Sequence, residues 1–171
     1  MDNRDQLIIQ SHFALVWWAE SLLSSHFQTP TFQQMKFTDT FVQHRLAQPG
    51  EAAASLIAPS LYVSLVLPRE TIFDQYKDDF RRIDALIEKT AVPLENSYPK
   101  TDMIQYTRHL RNATAHARIA ITKTGIEFED KDPKNGFYLR AAIDFLTLGE
   151  TVQELQLLLR KHVISLQQAG V

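Results

Sequence analysis

In the stretch "RETIFDQYKDDFRRIDALIEKTA", which begins at Arg69, the residues Ile72, Tyr76, Phe80, Ile83 and Ile87 recur at three- and four-residue steps. On a helix turning about 100° per residue they form a single apolar stripe, with charged residues around the rest of the circumference. One helix cannot bury its own stripe, so other helices must cover it. The N-terminal half offers them. A first helix is expected over about residues 3 to 27, rich in Leu7, Ile8, Leu15, Trp18 and Leu22 and ending before Pro30. A second, about 31 to 47, carries Phe37, Phe41 and Leu46 before the "QPGE" break. The apolar segment 51 to 67 reads as a helix kinked at Pro59.

After the stripe, Pro93 and Pro99 bracket a short linker, and Thr101 is placed to cap a helix that runs to about Arg118. The period then changes. "RIAITKTGIEFEDKDPKNGFYLRAAID" sets β-branched and aromatic residues around two turn signals, "TKTG" and "DPKNG", which predicts two or three short antiparallel strands. "TLGE" (147 to 150) reads as a capping box for a last helix with Val152, Leu155, Leu159, Val163 and Leu166 on one face. The expected architecture is mainly α: an up-and-down α-helical bundle with a β-hairpin insert, about 118 to 143, before the C-terminal helix. The 171 residues, 44% hydrophobic and 22% charged, suit one domain spanning 1 to 171.

Several function classes lose support at once. With only five glycines there is no G-x-G-x-x-G, no Walker loop and no G-x-S-x-G elbow. The absence of cysteine removes disulfides and thiolate chemistry and suits a reducing compartment. A formal charge of −2 gives no general basic field, so any nucleic-acid contact must use a local patch. "MDNRDQL" is not a signal-peptide start, and the apolar run 52 to 68 falls short of the roughly 20 residues of a membrane span. A cytoplasmic protein without membrane contact is expected.

The helix containing "TDMIQYTRHLRNATAHARIAI" repays inspection by angle. Met103, Tyr106, Leu110, Ala113 and Ala117 fall on one arc, which should face the core, while Arg108, Asn112 and His116 lie opposite with Arg111 on their flank. A solvated polar face is the ordinary reading of such a set. Yet Ala113, Thr114, Ala115 and Ala117 are small where Lys and Glu usually fill an exposed face, which suggests a site or an interface.

"RNATAH" resembles the R-x4-6-H motif of the HEPN superfamily, with Arg111 and His116 as its ends and Asn112 as the polar residue that follows the arginine. The wider "RNATAHARI" context and the helical architecture resemble stand-alone plasmid- or defence-associated HEPN nuclease-like proteins. That resemblance implies a metal-independent endoribonuclease, a toxin or phage-defence effector, which dimerises through its motif helices; an antitoxin is then a candidate partner. Arg118 stands where toxins paired with nucleotidyltransferase antitoxins often carry a tyrosine, which counts against that type of modification.

The chemistry fits such a reading. Cleavage by the ribose 2′-hydroxyl needs proton transfer and a cation near the phosphorane, but no cofactor. His116 can take or give the proton, Arg111 can hold the phosphate, and Asn112 can orient phosphate, water or imidazole. Arg108 and Arg118 read as phosphate contacts, and His109 as a further RNA contact or an interface residue. Arg111 and His116 are about 140° apart on an ideal helix, so a dimer in which two motif helices share one cleft is expected. No metal cluster is expected: His109, His116 and Asp102 share a face, but the histidines lie about 10 Å apart. His12, His26, His44 and His162 read as structural, and the charge runs "KDDFRR" and "FEDKDPKN" as solvated. The competing readings are a non-catalytic HEPN module that binds RNA or a nucleotide, and a purely structural helical dimer.

Overall fold

The computed structural model describes residues 3–98 and 104–169. The expected linker end at Pro99, the cap expected at Thr101 and the positions expected for Asp102 and Met103 lie outside them. The chain is mainly α, as expected. Its helices are α1 (Asn3–Leu23), α2 (Pro30–Gln34), α3 (Thr40–Leu46), α4 (Glu51–Leu61), α5 (Arg69–Gln75), α6 (Lys77–Glu88), α7 (Tyr106–Ala115) and α8 (Phe145–Ala169). The strands are β1 (Val92–Asn96), β2 (Ile119–Ile121), β3 (Gly125–Lys131) and β4 (Tyr138–Asp144).

All five stripe residues are buried, between 0% and 7% exposed. The helix expected to carry them breaks at Tyr76 (φ −122°, ψ 42°) into α5 and α6. The stripe keeps its phase, because Tyr76 N–H still donates to the Ile72 carbonyl, and Phe73 and Phe80 stack across the break at 4.2 Å. The second expected helix also divides. Asp39 Oδ1 accepts from the N–H groups of Phe41 and Val42 and starts α3 afresh, and Phe41 is left 70% exposed. Beyond Pro59, which sits inside α4, the next turn widens so that Leu67 N–H reaches the Tyr62 carbonyl five residues back. This wide turn is one of the surfaces on which α7 packs.

The sheet is larger than a hairpin. Its order is β1-β4-β3-β2, antiparallel throughout. β1 lies in the segment expected to be a linker between prolines. Pro93 is tolerated there because β1 is an edge strand, irregular between Pro93 and Glu95 and exposed along its whole length. At the start of β3, Gly125 passes so close to the Ile143 carbonyl of β4 that a side chain has no room. The inward residues Ile126 and Phe128 of β3 and Leu139, Ala141 and Ile143 of β4 join the stripe, Tyr106, Leu110 and Leu155 in the main core.

α8 starts two residues before "TLGE", because Asp144 accepts from Thr147 N–H (2.8 Å) and Oγ1 (3.1 Å) and acts as the cap. Leu155, Leu159 and Val163 are buried as expected. In α1 the apolar set splits: Ile8, Ile9 and Leu15 are buried, but Leu7, Phe13 and Trp17 are at least half exposed. Among the described residues no helix is long and apolar enough to cross a membrane.

Candidate functional site

Tyr106, Leu110 and Ala113 anchor α7 in the core at 2%, 0% and 0% exposure, which fixes the rotation of the helix and aims His109 and Asn112 at the sheet. Ala117, the last member of the expected apolar arc, is exposed instead, because α7 stops at Ala115 rather than near Arg118. Ala117 takes a left-handed conformation (φ 53°), its N–H bonds the Thr114 carbonyl, and Arg118 N–H bonds the Ala113 carbonyl at 2.8 Å. These paired bonds form a Schellman stop, built here on alanine where glycine is usual. His116 is the cap residue of that stop (φ −105°, ψ 11°), so it does not follow the regular helical angle assumed from the sequence.

A surface groove of about 1350 Å³ runs alongside α7. Arg108, His109, Asn112 and His116 all line it; Arg111 and Arg118 are not among its lining residues. Arg111 instead donates from Nη1 to Asn112 Oδ1 at 2.6 Å, so it reaches the site through its neighbour. The Arg108 guanidinium lies 5.5 Å from the Phe73 ring centroid. Arg118 is exposed, and its carbonyl accepts from Glu129 N–H on β3.

The sequence reading missed the centre of this groove. Asp130, taken as part of a solvated run, is 4% exposed and accepts three hydrogen bonds on one oxygen. His109 Nδ1 lies 2.7 Å from Oδ2, Asn112 Nδ2 3.2 Å and the Tyr98 hydroxyl 3.2 Å. Burial by itself would raise the Asp130 carboxyl, but the bonds from His109, Asn112 and Tyr98 outweigh it and hold the group below its ordinary value. Burial, reinforced by Asp130, pushes the Tyr98 hydroxyl up to about 12. A signal existed in the sequence: Ile126, Phe128 and Asp130 alternate along β3, so the carboxylate occupies the next inward slot of an apolar strand face.

Asp84 of α6 also lines the groove and is 4% exposed. Burial raises its carboxyl to about 6, partly offset by the Thr107 N–H that donates to Oδ1 at 2.7 Å. The groove is mixed in charge: Lys77, Arg81, Arg108 and Lys131 face it, but so do Glu88 and Asp132 along with the two buried carboxylates. Among the described residues no group of three or more histidine or acidic side chains is placed to hold a metal ion.

The fold is mainly α, with Arg111, Asn112 and His116 at the end of one helix and two of them on a groove. The chain belongs to the HEPN pEK499 p136 family, whose model matches residues 7–166. No curated protein and no solved structure matches it.

Proposed function

We propose that the protein is a metal-independent endoribonuclease, a toxin or defence effector whose single domain works as a homodimer through its motif helices. The observation that carries this is the shared groove: Asn112 and His116 line it together, and the Arg111 guanidinium is bonded to Asn112 at their side. His116, exposed at the helix stop, exchanges a proton with the substrate. Arg111 and Asn112 hold the scissile phosphate and meet the charge that grows on it. Arg108, His109 and Arg118 contact the bound RNA. The mixed charge of the groove favours recognition of one linkage over a long run of phosphates, so binding should depend only weakly on salt. The exposed, small Ala115 and Ala117 leave room for a second motif helix beside His116.

The test is incubation of purified protein with mixed RNA in EDTA. Cleavage to 2′,3′-cyclic phosphate ends is expected, with rates lowered about 10²- to 10⁴-fold in His116→Ala and about 10²- to 10³-fold in Arg111→Ala, while fold and dimer persist. A substrate with 2′-deoxyribose at the cut position must resist. A second reading, a module that binds RNA or a nucleotide without cutting it, draws on the position of Arg111 away from the groove lining. RNA retention with no product would favour it.

A further inference from the structure

Two imidazoles line this groove, and they are held differently. His116 is exposed at the end of α7, and no hydrogen bond to its ring is found among the described residues. His109 is 15% exposed, bonded through Nδ1 to Asp130 and set at 60° against the Tyr98 ring, with centroids 4.7 Å apart. A carboxylate only accepts, so Nδ1 must carry the hydrogen; in the neutral ring the lone pair is then on Nε2. We propose that His109, oriented by Asp130, is the general base of the reaction and that His116 is its general acid, an inference that rests on the ribonuclease reading above.

A merely structural role for Asp130, tying β3 to α7, explains less. An apolar residue in that inward slot would join the two elements at least as well, because a buried charge must be compensated before it stabilises anything. Here all three donors to Asp130 Oδ2 are groove-lining residues, and they converge on the one carboxylate able to fix the tautomer of His109. Asp84 on α6 also lies within electrostatic range of His109. His116 has no carboxylate partner among the described residues.

His109 Nε2 takes the 2′-hydroxyl proton as the 2′-oxygen bonds to phosphorus. The bond from phosphorus to the 5′-oxygen breaks, and that oxygen receives a proton from the His116 imidazolium. The products are a 2′,3′-cyclic phosphate and a 5′-hydroxyl, and solvent returns the proton from His109 to His116. His109 and His116 touch the reacting atoms; Asp130 is a positioning residue.

RNA with a bridging 5′-sulfur at the cut site tests the division, since a thiolate leaves without a proton. His109→Ala and His116→Ala should each lower kcat on ordinary RNA by about 10²-fold or more, with KM changed less than about threefold for His109→Ala. The sulfur substrate should restore His116→Ala and leave His109→Ala slow; the reverse pattern overturns the proposal. Nitrogen-15 NMR of the wild-type protein should show neutral His109 protonated on Nδ1, with that preference lost in Asp130→Asn, a variant of the same shape. Protonation on Nε2 overturns the role of Asp130 whether or not RNA is cut. Cleavage lost in His116→Ala but intact in His109→Ala sinks this inference alone, and no cleavage by the wild-type protein sinks it together with the ribonuclease reading.

Discussion

Asp84 and Asp130 are buried to the same degree, 4% exposed, both bond to α7 and both line the groove, yet their carboxyls shift in opposite directions. Desolvation acts on each and favours the neutral acid. The difference lies in the donors. Asp84 accepts one backbone N–H and is raised to about 6, whereas Asp130 accepts from an imidazole, an amide and a phenol and is lowered. Depth alone therefore does not fix protonation in this protein, and below about pH 6 the two walls of one groove carry an acid and a carboxylate.

The sharpest way to break the contrast is Asp130→Ala. It strands three donors in a desolvated site and should cost about 3 kcal/mol in urea denaturation near pH 7. Because the folded value of Asp130 lies below the unfolded one, its contribution is full above about 3.8 and disappears as pH falls below that. The gap between wild type and Asp130→Ala should narrow in acid; a constant gap would mean that only packing was lost.

Asp84→Asn should do the reverse. Its folded value lies above the unfolded one, so the stabilisation from the protonated acid is full below about 3.8 and is lost as pH rises through about 6. The asparagine keeps an oxygen for Thr107 N–H and removes the buried charge, so stability at pH 7 should rise by ~1 to 2 kcal/mol. Denaturation curves collected from pH 4 to 7 should be flatter for the variant, and an unchanged slope would contradict the raised value. The smallest effect is expected from Tyr98→Phe, which removes one of three donors to Asp130 and should cost ~1 kcal/mol by the same measurement.

The same pair shows what the sequence made legible. Apolar spacing was sufficient for the stripe in α5 and α6, for α8 and for the buried side of α7, because burial follows helical phase even where the helix breaks, as it does at Tyr76. The motif helix and the side of it that carries Asn112 were legible for that reason, whereas His116, in the cap beyond Ala115, departs from that phase. β1 was not, because Pro93 and the later Pro99 look in the sequence like linker punctuation and the strand's place on the sheet edge depends on pairing with β4, far along the chain. Asp130 was hidden by its neighbours: "FEDKD" looks solvated until the strand alternation separates Asp130 from Glu129 and Lys131. Nor could spacing along a single helix reveal that Arg111 would turn to Asn112 instead of the groove.

The left-handed alanine after His116 has a consequence for how this site could change over evolutionary time. Alanine pays no functional dividend in that conformation that glycine would not share, and it holds it at an energetic disadvantage of about 1 kcal/mol or more. Glycine at position 117 should therefore relax the stop without moving it, whereas a β-branched residue would strain it further and disturb the placement of the His116 imidazole beside the groove. The permitted vocabulary at position 117 is thus set by the aim of the residue before it.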